Sequence, residues 1–160
     1  MQTPSSPSVP LRTVPHSAEA ERGVLGSILL DAAGDSRVLD LCTENGIIPE
    51  SFFTPAHRLL FETLAEMSRA ALTIDPLTLT ERLRALNRLD GIGGSATIQA
   101  LIDETPTAAH AEYYINIVRQ KHLLRAVIAC ARDAERRCFD EAVSADLILG
   151  EVEQQFLGIA

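Results

Sequence analysis

The sequence has few aromatic residues and contains no tryptophan. Phe and Tyr make up 4% of its 160 residues, whereas hydrophobic residues as a whole make up 46%. A core must therefore be built from Leu, Ile, Val and Ala, which suit packed helices better than a sheet. No apolar run is long enough to span a bilayer, and the N-terminus lacks the charged start and apolar stretch of a secretory signal. These absences favour a cytoplasmic helical domain that does not cross a membrane.

Basic residues are also scarce. The chain has 14 Lys and Arg against 22 Asp and Glu, which gives a formal net charge of -8 and a pI of about 4.9. Proteins that bind nucleic acid usually carry a basic stripe, because phosphate contacts supply most of their affinity. We therefore expect little or no direct DNA binding, although a small local patch could still touch DNA.

The three cysteines, Cys42, Cys130 and Cys138, are odd in number and have no paired spacing. They are predicted to be reduced and mostly buried thiols. Neither C-x-x-C nor H-E-x-x-H occurs, so no zinc site is predicted. His16 with Glu19 and Glu21 could suggest another metal site, but two acidic residues in the first turn of a helix are explained by its dipole. His57 and His110 have no nucleophile or carboxylate constellation that would support catalysis.

The glycine-rich stretch Gly91-Ile-Gly93-Gly94 raises the question of a phosphate-binding loop. Such a loop needs a Lys followed by Ser or Thr after its last glycine, and Gly94 is followed by Ser95 and an alanine. A dinucleotide-binding turn would follow a strand, whereas a leucine-rich helix precedes Gly91. The glycines therefore end one helix, and the next helix begins near Ser95.

Residues that start helices recur along the chain, and no strand signal of useful length appears. Each predicted start places a Ser, Thr or Asp before an apolar stripe of helical period, and two are followed by Pro. These starts are Ser17, Thr54-Pro55, Asp75-Pro76, Ser95, Thr107 and Ser144. Gly23 and Gly26 are costly inside a helix, so they are predicted to mark close helix–helix approaches.

The sequence predicts an all-α fold, in which a compact multi-helix head is followed by a long antiparallel helical hairpin. The predicted divisions are a flexible Pro/Ser-rich tail at residues 1–15, the head at 16–106 and the hairpin at 107–160. The longest helix should run from Ala108 to Cys138, and the short link before Ser144 makes the last two helices antiparallel neighbours.

One face of the longest helix is predicted to be apolar and the other charged. The apolar face contains Tyr113, Ile117, Leu124, Val127, Ile128, Ala131 and Cys138. Tyr113 fits ordinary core or hairpin packing, with an anchor in a subunit interface as the alternative. On the charged face, Arg125, Arg132, Arg136 and Arg137 are predicted to be solvated, with local ion pairs to Asp133 and Glu135, although they could attract DNA or an acidic partner.

A hairpin of this length is too thin to bury its apolar stripes alone. Leaving them in water would expose a patch larger than monomers usually tolerate, so we expect two hairpins to pair. The candidate residues of this interface are Tyr113, Ile117, Leu124, Ile128, Val152 and Phe156.

Five segments together resemble the N-terminal domain of bacterial replicative DNA helicases of the DnaB type. They are "PHSAEAERGVLGSILLD", "FFTPAHRLLFETLAEM", "IDPLTLTERL", "LDGIGGSATIQALIDETPTAAHAEYYINIVRQKHLLR" and "FDEAVSADLILGEVEQQFLGIA". They occur in the order and spacing of that domain and extend the resemblance over about residues 14–160. Five collinear segments are more specific than any single motif.

The resemblance implies a head and a hairpin that form part of a collar above a ring of ATPase domains. In that family the hairpins pair between subunits, and the collar helps to hold the hexamer and docks primase and, in some systems, a helicase loader. Docking is expected on outward parts of the hairpin and on the nearby head helix. The residues expected there are Thr97, Ile98, Ala131 and Ala134.

The resemblance also implies an ATP-dependent 5'-3' helicase activity for full-length members, with ATP and Mg²⁺ held in the ATPase domain. The Walker motif, the arginine finger and the DNA-contacting loops of that domain do not occur in this sequence. No catalytic, cofactor-binding or metal-binding residue is therefore predicted, and this chain alone is not expected to be an enzyme.

Three functions stay open at this point: a scaffold and assembly domain of a replicative helicase, a stand-alone phage or plasmid replication regulator that pairs with a host helicase, and an acidic helical DNA-binding module. Whether the chain is part of a longer protein, a truncated product or a complete short protein also stays open.

Overall fold

The computed structural model describes residues 13–160, which form seven α-helices and three short 3₁₀ helices and contain no strand. The predicted all-α fold is confirmed. Among these residues, none of the helices combines the length and the apolar character that crossing a bilayer requires. The helices are α1 (Ala18–Asp31), α2 (Arg37–Glu44), α3 (Pro55–Arg69), α4 (Pro76–Ala85), α5 (Ser95–Glu104), α6 (Ala111–Cys138) and α7 (Ala145–Ile159). The 3₁₀ helices are Pro49–Ser51, Asp90–Ile92 and Ala108–His110.

The predicted capping residues Ser17, Asp75, Thr107 and Ser144 accept cap hydrogen bonds, whereas Thr54 is an N-cap residue without a side-chain bond and Ser95 is the first residue of α5, after Gly94. Ser17 accepts a hydrogen bond from the backbone N–H of Ala20 at 3.1 Å, so it caps α1. Asp75 accepts from the N–H of Thr78 at 2.8 Å, and Thr78 accepts from the N–H of Asp75 at 3.0 Å. Thr107 caps the 3₁₀ helix that precedes α6, so the longest α-helix begins three residues later than predicted, at Ala111.

Helix α1 lies at the centre of the head. Every residue from Gly23 to Leu29 is buried, so α1 has no solvent-facing side over these two turns. It packs against α2, α3, α5 and α6. A helix that is apolar all round is typical of a central core position. The sequence predicted one buried face of α1, and the structure buries the whole circumference.

The two glycines of α1 mark close approaches, as predicted. A Cβ built at Gly23 would lie 2.6 Å from the ring of Tyr114 in α6. A Cβ built at Gly26 would lie 2.7 Å from the carbonyl oxygen of Leu101 in α5. Both distances are too short for real carbon contacts, so these two positions let α5 and α6 approach the backbone of α1.

The glycine-rich stretch links helices and makes no strand-to-helix turn. The 3₁₀ helix Asp90–Ile92 ends before Gly93, and Gly94 is the N-cap residue of α5. Gly94 has φ of 84° and ψ of 178°, a region that residues with a Cβ rarely adopt. This backbone geometry, which no other residue type adopts readily, explains why a glycine occupies the position.

We expect Gly94→Val to lower the free energy of unfolding by about 1–3 kcal/mol, because valine resists this φ. No atom lies within 4 Å of a Cβ built at Gly94, so the cost would come from the backbone alone. Chemical denaturation followed by circular dichroism measures it. Ala96→Val, at an exposed position of α5, is the control and should change stability by less than about 0.5 kcal/mol. Equal midpoints for the two variants would refute the strain at Gly94.

The predicted tail falls mostly outside the described residues. Residues 1–12 are not described, and residues 13–15 lead directly into α1. The carbonyl oxygen of Pro15 accepts a hydrogen bond from Arg125 of α6 at 2.9 Å, and the flexible character of the tail stays a prediction. The N-terminal half of α6 also packs on the head. Head and hairpin therefore share α6, and the division at residue 107 stays a prediction.

Candidate interaction surface on the hairpin

Helices α6 and α7 form the predicted hairpin and hold each other through buried and paired groups. The link between them is residues 139–144. The thiol of Cys130 in α6 donates to Oε1 of Gln155 in α7 at 3.2 Å, and Arg137 forms an ion pair with Glu151. Ile148 is buried on the inner side of α7. The hairpin therefore has contacts of its own that do not involve the head.

The N-terminal half of α6 uses a different face from the one that the sequence predicted. Ala111, Ile115 and Val118 are buried in the head core, whereas the side chain of Tyr113 is 65% exposed. The interpretation of Tyr113 as core packing is wrong. Its neighbour Tyr114 packs over Gly23, and this contact fixes the rotation of α6 on the head.

The C-terminal half of α6 and the length of α7 expose apolar side chains. On α6, Leu124 and Val127 are one turn apart and both exposed, so they share one side of the helix. On α7, Leu149, Phe156 and Leu157 fall at positions i, i+7 and i+8, which also share one side, whereas the exposed Leu147 lies on another side. Five of the exposed apolar residues of the two helices are here called the hairpin apolar surface: Leu124, Val127, Leu149, Phe156 and Leu157.

The predicted interface residues are only partly brought together. Leu124 and Phe156 belong to the hairpin apolar surface and are 48% and 40% exposed. Ile128 and Val152 are half-buried. Ile117 is half-buried and packs against the head core, so most of its packing is already used within the chain.

The residues predicted to dock partners differ in their availability. Ile98 is 1% exposed and lies in the head core, so its side chain does not reach the surface. Thr97 and Ala134 are half-buried, and Ala131 is exposed on α6. The part of the prediction that involves Ile98 is corrected, because its side chain points to α1 and the core instead of to solvent.

Arg125 does not belong to a solvated face, which corrects another prediction. Its guanidinium donates to the carbonyl oxygens of Pro15 at 2.9 Å and Ser51 at 2.8 Å. It also lies over the ring of Phe53, 5.7 Å from the centroid. Arg125 therefore joins the hairpin to two separate segments of the head. No local signal in the sequence predicts this role, because the partners of Arg125 are far away along the chain.

Of the remaining arginines of this face, Arg136 pairs as predicted, whereas Arg137 is largely covered and also pairs across the hairpin. Arg136 donates to Asp133 at 2.5 Å, one turn earlier in α6. Arg137 lies 4.0 Å from the same carboxylate and pairs with Glu151. Arg132 is exposed. Exposed pairs of this kind contribute little to stability and keep the face polar.

Glu21 lies close to the contact between Arg125 and the head, and it is only 2% exposed. Its carboxylate accepts from the backbone N–H groups of Phe53 at 2.5 Å and Thr54 at 3.2 Å, and Nδ1 of His57 lies 2.7 Å away. Burial raises the pKa of Glu21, but the hydrogen bonds from His57, Phe53 and Thr54 outweigh burial and hold the pKa below its ordinary value. The sequence interpretation, a dipole effect at α1, missed this role.

The pairing of His57 with Glu21 connects α1 to the start of α3, and the same carboxylate also accepts from the backbone N–H groups of that segment. It is therefore a structural pair. Across residues 13–160, no cluster of three or more His, Cys, Asp or Glu residues could hold a metal ion. Burial raises the pKa of the Cys42 thiol to about 12, so Cys42 is a core residue and a poor ligand or nucleophile.

Together, the head, the projecting hairpin and its apolar surface define an all-helical interaction domain. The family described as "DnaB-like helicase N terminal domain" matches residues 13–120. The chain therefore belongs to the family of DnaB-like helicase N-terminal domains.

Two curated relatives illustrate the match. The replicative DNA helicase DnaB of Treponema pallidum is 37% identical over 141 residues, which cover 88% of this chain and 31% of the relative. The replicative DNA helicase DnaB of Geobacillus stearothermophilus is 32% identical over 149 residues, which cover 93% of this chain and 32% of the relative. The chain thus spans about a third of the length of these relatives.

Solved structures show the same fold. The N-terminal domain of DnaB helicase from Mycobacterium tuberculosis superposes with a TM-score of 0.82 at 25% identity, covering 92% of this chain and 100% of that one. A DnaB-like replicative helicase, whose structure is described together with its interactions with primase, superposes with a TM-score of 0.69 at 20% identity. It covers 88% of this chain and 31% of that one, and this likeness shows the fold alone.

Proposed function

We propose that the chain is the assembly and partner-docking domain of a replicative DNA helicase, the part that forms the collar. The observation that carries the proposal is the hairpin apolar surface. Its residues are exposed although the chain has a complete core of its own in the head. Exposed apolar patches of this kind mark interaction sites in soluble proteins. The whole helicase, with its ATP and Mg²⁺ chemistry, would need the further length that the relatives have.

The first partner is a second copy of the chain. A two-fold pairing buries the same surface on both copies and leaves no open end, so it is the simplest closed assembly. Leu124 and Phe156 are the anchors, with Ile128 and Val152 packing behind them. Tyr113 is exposed on the other half of α6 and extends the surface toward the head.

The second partner is primase, with a helicase loader as a further one. Support comes from the family and from the related helicase whose structure is described with its interactions with primase. Thr97, Ala131 and Ala134 are the docking residues in this proposal, since their side chains are at least partly accessible. Direct DNA contact would be minor, because the net charge of -8 repels phosphates. The stand-alone regulator is less favoured, since the matching relatives are replicative helicases themselves.

The pairing is tested with Leu124→Glu. We expect the wild-type chain to sediment as a dimer at micromolar concentration. The variant should weaken dimerisation by about 2 kcal/mol, or roughly 30-fold in Kd, because a carboxylate would be buried in an apolar interface. Leu124 is 48% exposed in the single chain, so the helical circular dichroism signal should be unchanged.

Leu77→Glu is the matched control, since Leu77 is 70% exposed on α4 of the head. It adds the same charge without touching the hairpin and should leave the dimer intact. A wild-type chain that is still monomeric at about 100 μM would contradict the proposal, because functional pairing is usually much tighter. Equal weakening by both variants would show that net charge, not the hairpin apolar surface, controls association.

A further inference from the structure

The contacts between the head and the hairpin include two that differ in character. The first is apolar: Ala111, Ile115 and Val118 of α6 pack in the head core. The second lies further along α6, where Arg125 reaches the head with polar contacts. Beyond Arg125, the buried residue of α6 is Cys130, and its thiol donates a hydrogen bond to Gln155 of α7. Arg125 thus lies where α6 passes from the head to the free part of the hairpin.

The two carbonyl oxygens that Arg125 binds belong to different parts of the head. Pro15 precedes α1, and Ser51 ends the 3₁₀ helix before α3. Neither oxygen takes part in a regular helix ladder at this point, so both depend on an outside donor. A guanidinium is the side chain that can donate to two acceptors at once from a fixed plane. Arg125 therefore fixes the direction of α6 relative to both segments.

Neighbouring groups hold the guanidinium in place. Phe53 lies below it, and the ring of His16 stacks on Phe53 with centroids 4.2 Å apart. Glu21 supplies a nearby negative charge, and it is itself fixed by the N–H groups of Phe53 and Thr54. Burial lowers the pKa of Arg125, and the charge of Glu21 opposes this effect. These contacts hold the Arg125 side chain in one position.

We propose that Arg125 is a latch that sets the angle between the head and the hairpin, and that its release lets the hairpin move while both parts stay folded. The head keeps its own core when the latch opens, and α6 and α7 keep the contacts between Cys130 and Gln155 and between Arg137 and Glu151. The apolar contact at Ala111–Val118 then acts as the pivot. The consequence for assembly rests on the proposed function: the angle decides where the hairpin apolar surface is presented to a second copy.

The angle can be measured with two spin labels and electron–electron distance measurements. Cys138 is exposed near the end of the hairpin, whereas Cys42 and Cys130 are buried, so Cys138 accepts one label. Ala100→Cys, at an exposed position of α5, provides the second label on the head. The measurements use the Leu124→Glu background at low concentration, so that distances within one chain are recorded even if wild-type chains pair.

We expect a narrow distance distribution with Arg125 present and one broadened about two-fold or more in Arg125→Ala, since further orientations become populated. Arg125→Lys keeps the charge but donates from a single point, so it should give an intermediate width. Arg132→Ala, an exposed arginine on the same helix, should leave the distribution narrow. The helical circular dichroism signal should be the same in all four proteins.

A distribution in Arg125→Ala as narrow as with Arg125 present would overturn the latch. Loss of helical signal in Arg125→Ala would leave the decision to Arg125→Lys, in which a narrow distribution or a loss of helical signal would overturn the latch. Arg125→Lys checks this second case: a folded lysine variant with a broadened distribution supports the latch. If wild-type chains never dimerise but Arg125→Ala broadens the distances, the proposed pairing fails and the latch stands.

Discussion

Replacing Gly26 by alanine should lower the free energy of unfolding by about 3 kcal/mol, at the upper end of the usual cost of overpacking. The new Cβ would lie 2.7 Å from the carbonyl oxygen of Leu101 and 2.8 Å from Cβ of Thr105. The Leu101 oxygen is part of α5, and Thr105 is itself bonded to it at 2.8 Å, so neither can move away easily. Relief would require α5 to shift away from α1. Denaturation with guanidinium chloride, followed by circular dichroism, measures the loss.

The control for Gly26→Ala is Gly150→Ala. Gly150 also lies inside a helix, α7, but no atom lies within 4 Å of a Cβ built there. Alanine has the higher helix propensity, so this variant should gain about 0.5–1 kcal/mol. The same substitution is thus expected to have opposite signs at two helical positions. A loss of similar size at both positions would show that the close approach of α1 and α5 is not the cause.

The helix boundaries were predictable because the signals for them are local. Asp75, Pro76 and Thr78 form a cap within four residues, and the structure shows the two reciprocal hydrogen bonds. Glycines inside a helix carry a cost that tertiary packing must offset, so Gly23 and Gly26 indicated close approaches before their partners were known. The sequence could not name these partners, Tyr114 and Thr105, which lie some eighty to ninety residues away.

The rotation of α6 was not predictable in the same way. Apolar residues follow helical spacing on two of its faces: Ala111, Ile115 and Val118 on one, Tyr113 and Ile117 on the other. Periodicity alone cannot rank two such faces, since both fit the 3.6-residue repeat. The choice is made by α1, where Gly23 receives the ring of Tyr114 and so turns Tyr113 outward. The candidate interface therefore keeps Leu124 and Phe156 and loses most of the contribution of Ile117.

The tertiary contacts of Glu21 and Arg125 were also not predictable from the sequence, because each residue has a sufficient local explanation. An acidic residue in the first turn of a helix already has a sufficient local explanation, its interaction with the helix dipole. An arginine on a long helix with other arginines fits a solvated face equally well. Only the tertiary structure shows that Glu21 is buried against Phe53 and that Arg125 holds Pro15 and Ser51. Local sequence contains no information on partners more than thirty residues away.

The second large effect is expected at Glu21. Glu21→Gln should lower the free energy of unfolding by about 3 kcal/mol, the upper end of the cost of a buried donor that loses its charged acceptor. The carboxylate accepts from Phe53 and Thr54 N–H groups and lies 2.7 Å from Nδ1 of His57. The glutamine amide replaces one acceptor oxygen with an NH₂ group, which would face a donor. At least one buried N–H would then lack a partner.

The effect of Glu21→Gln should also depend on pH. The pKa of Glu21 in the folded chain lies below its ordinary value of 4.5, which applies to the unfolded chain. On acidification the unfolded chain therefore binds the proton first, and the equilibrium shifts toward unfolding. The stability that the carboxylate contributes is complete above pH 4.5 and is lost as the pH falls through the folded pKa. Glutamine does not titrate, so the stability gap between the wild type and the variant should shrink in acid.

Glu19→Gln is the control. It shows how much stability any acidic residue contributes in the first turn of α1, apart from the buried contacts of Glu21. Glu19 lies in the same first turn of α1 but is exposed, so it can act only through the helix dipole, with a cost of about 0.3–1 kcal/mol. Unfolding curves of the three proteins from neutral pH down to about pH 3 provide the comparison, across the usual range of carboxylate titration. A Glu21→Gln gap that is no larger than that of Glu19→Gln, or that does not change with pH, would show that the buried carboxylate does not hold α1 to the start of α3.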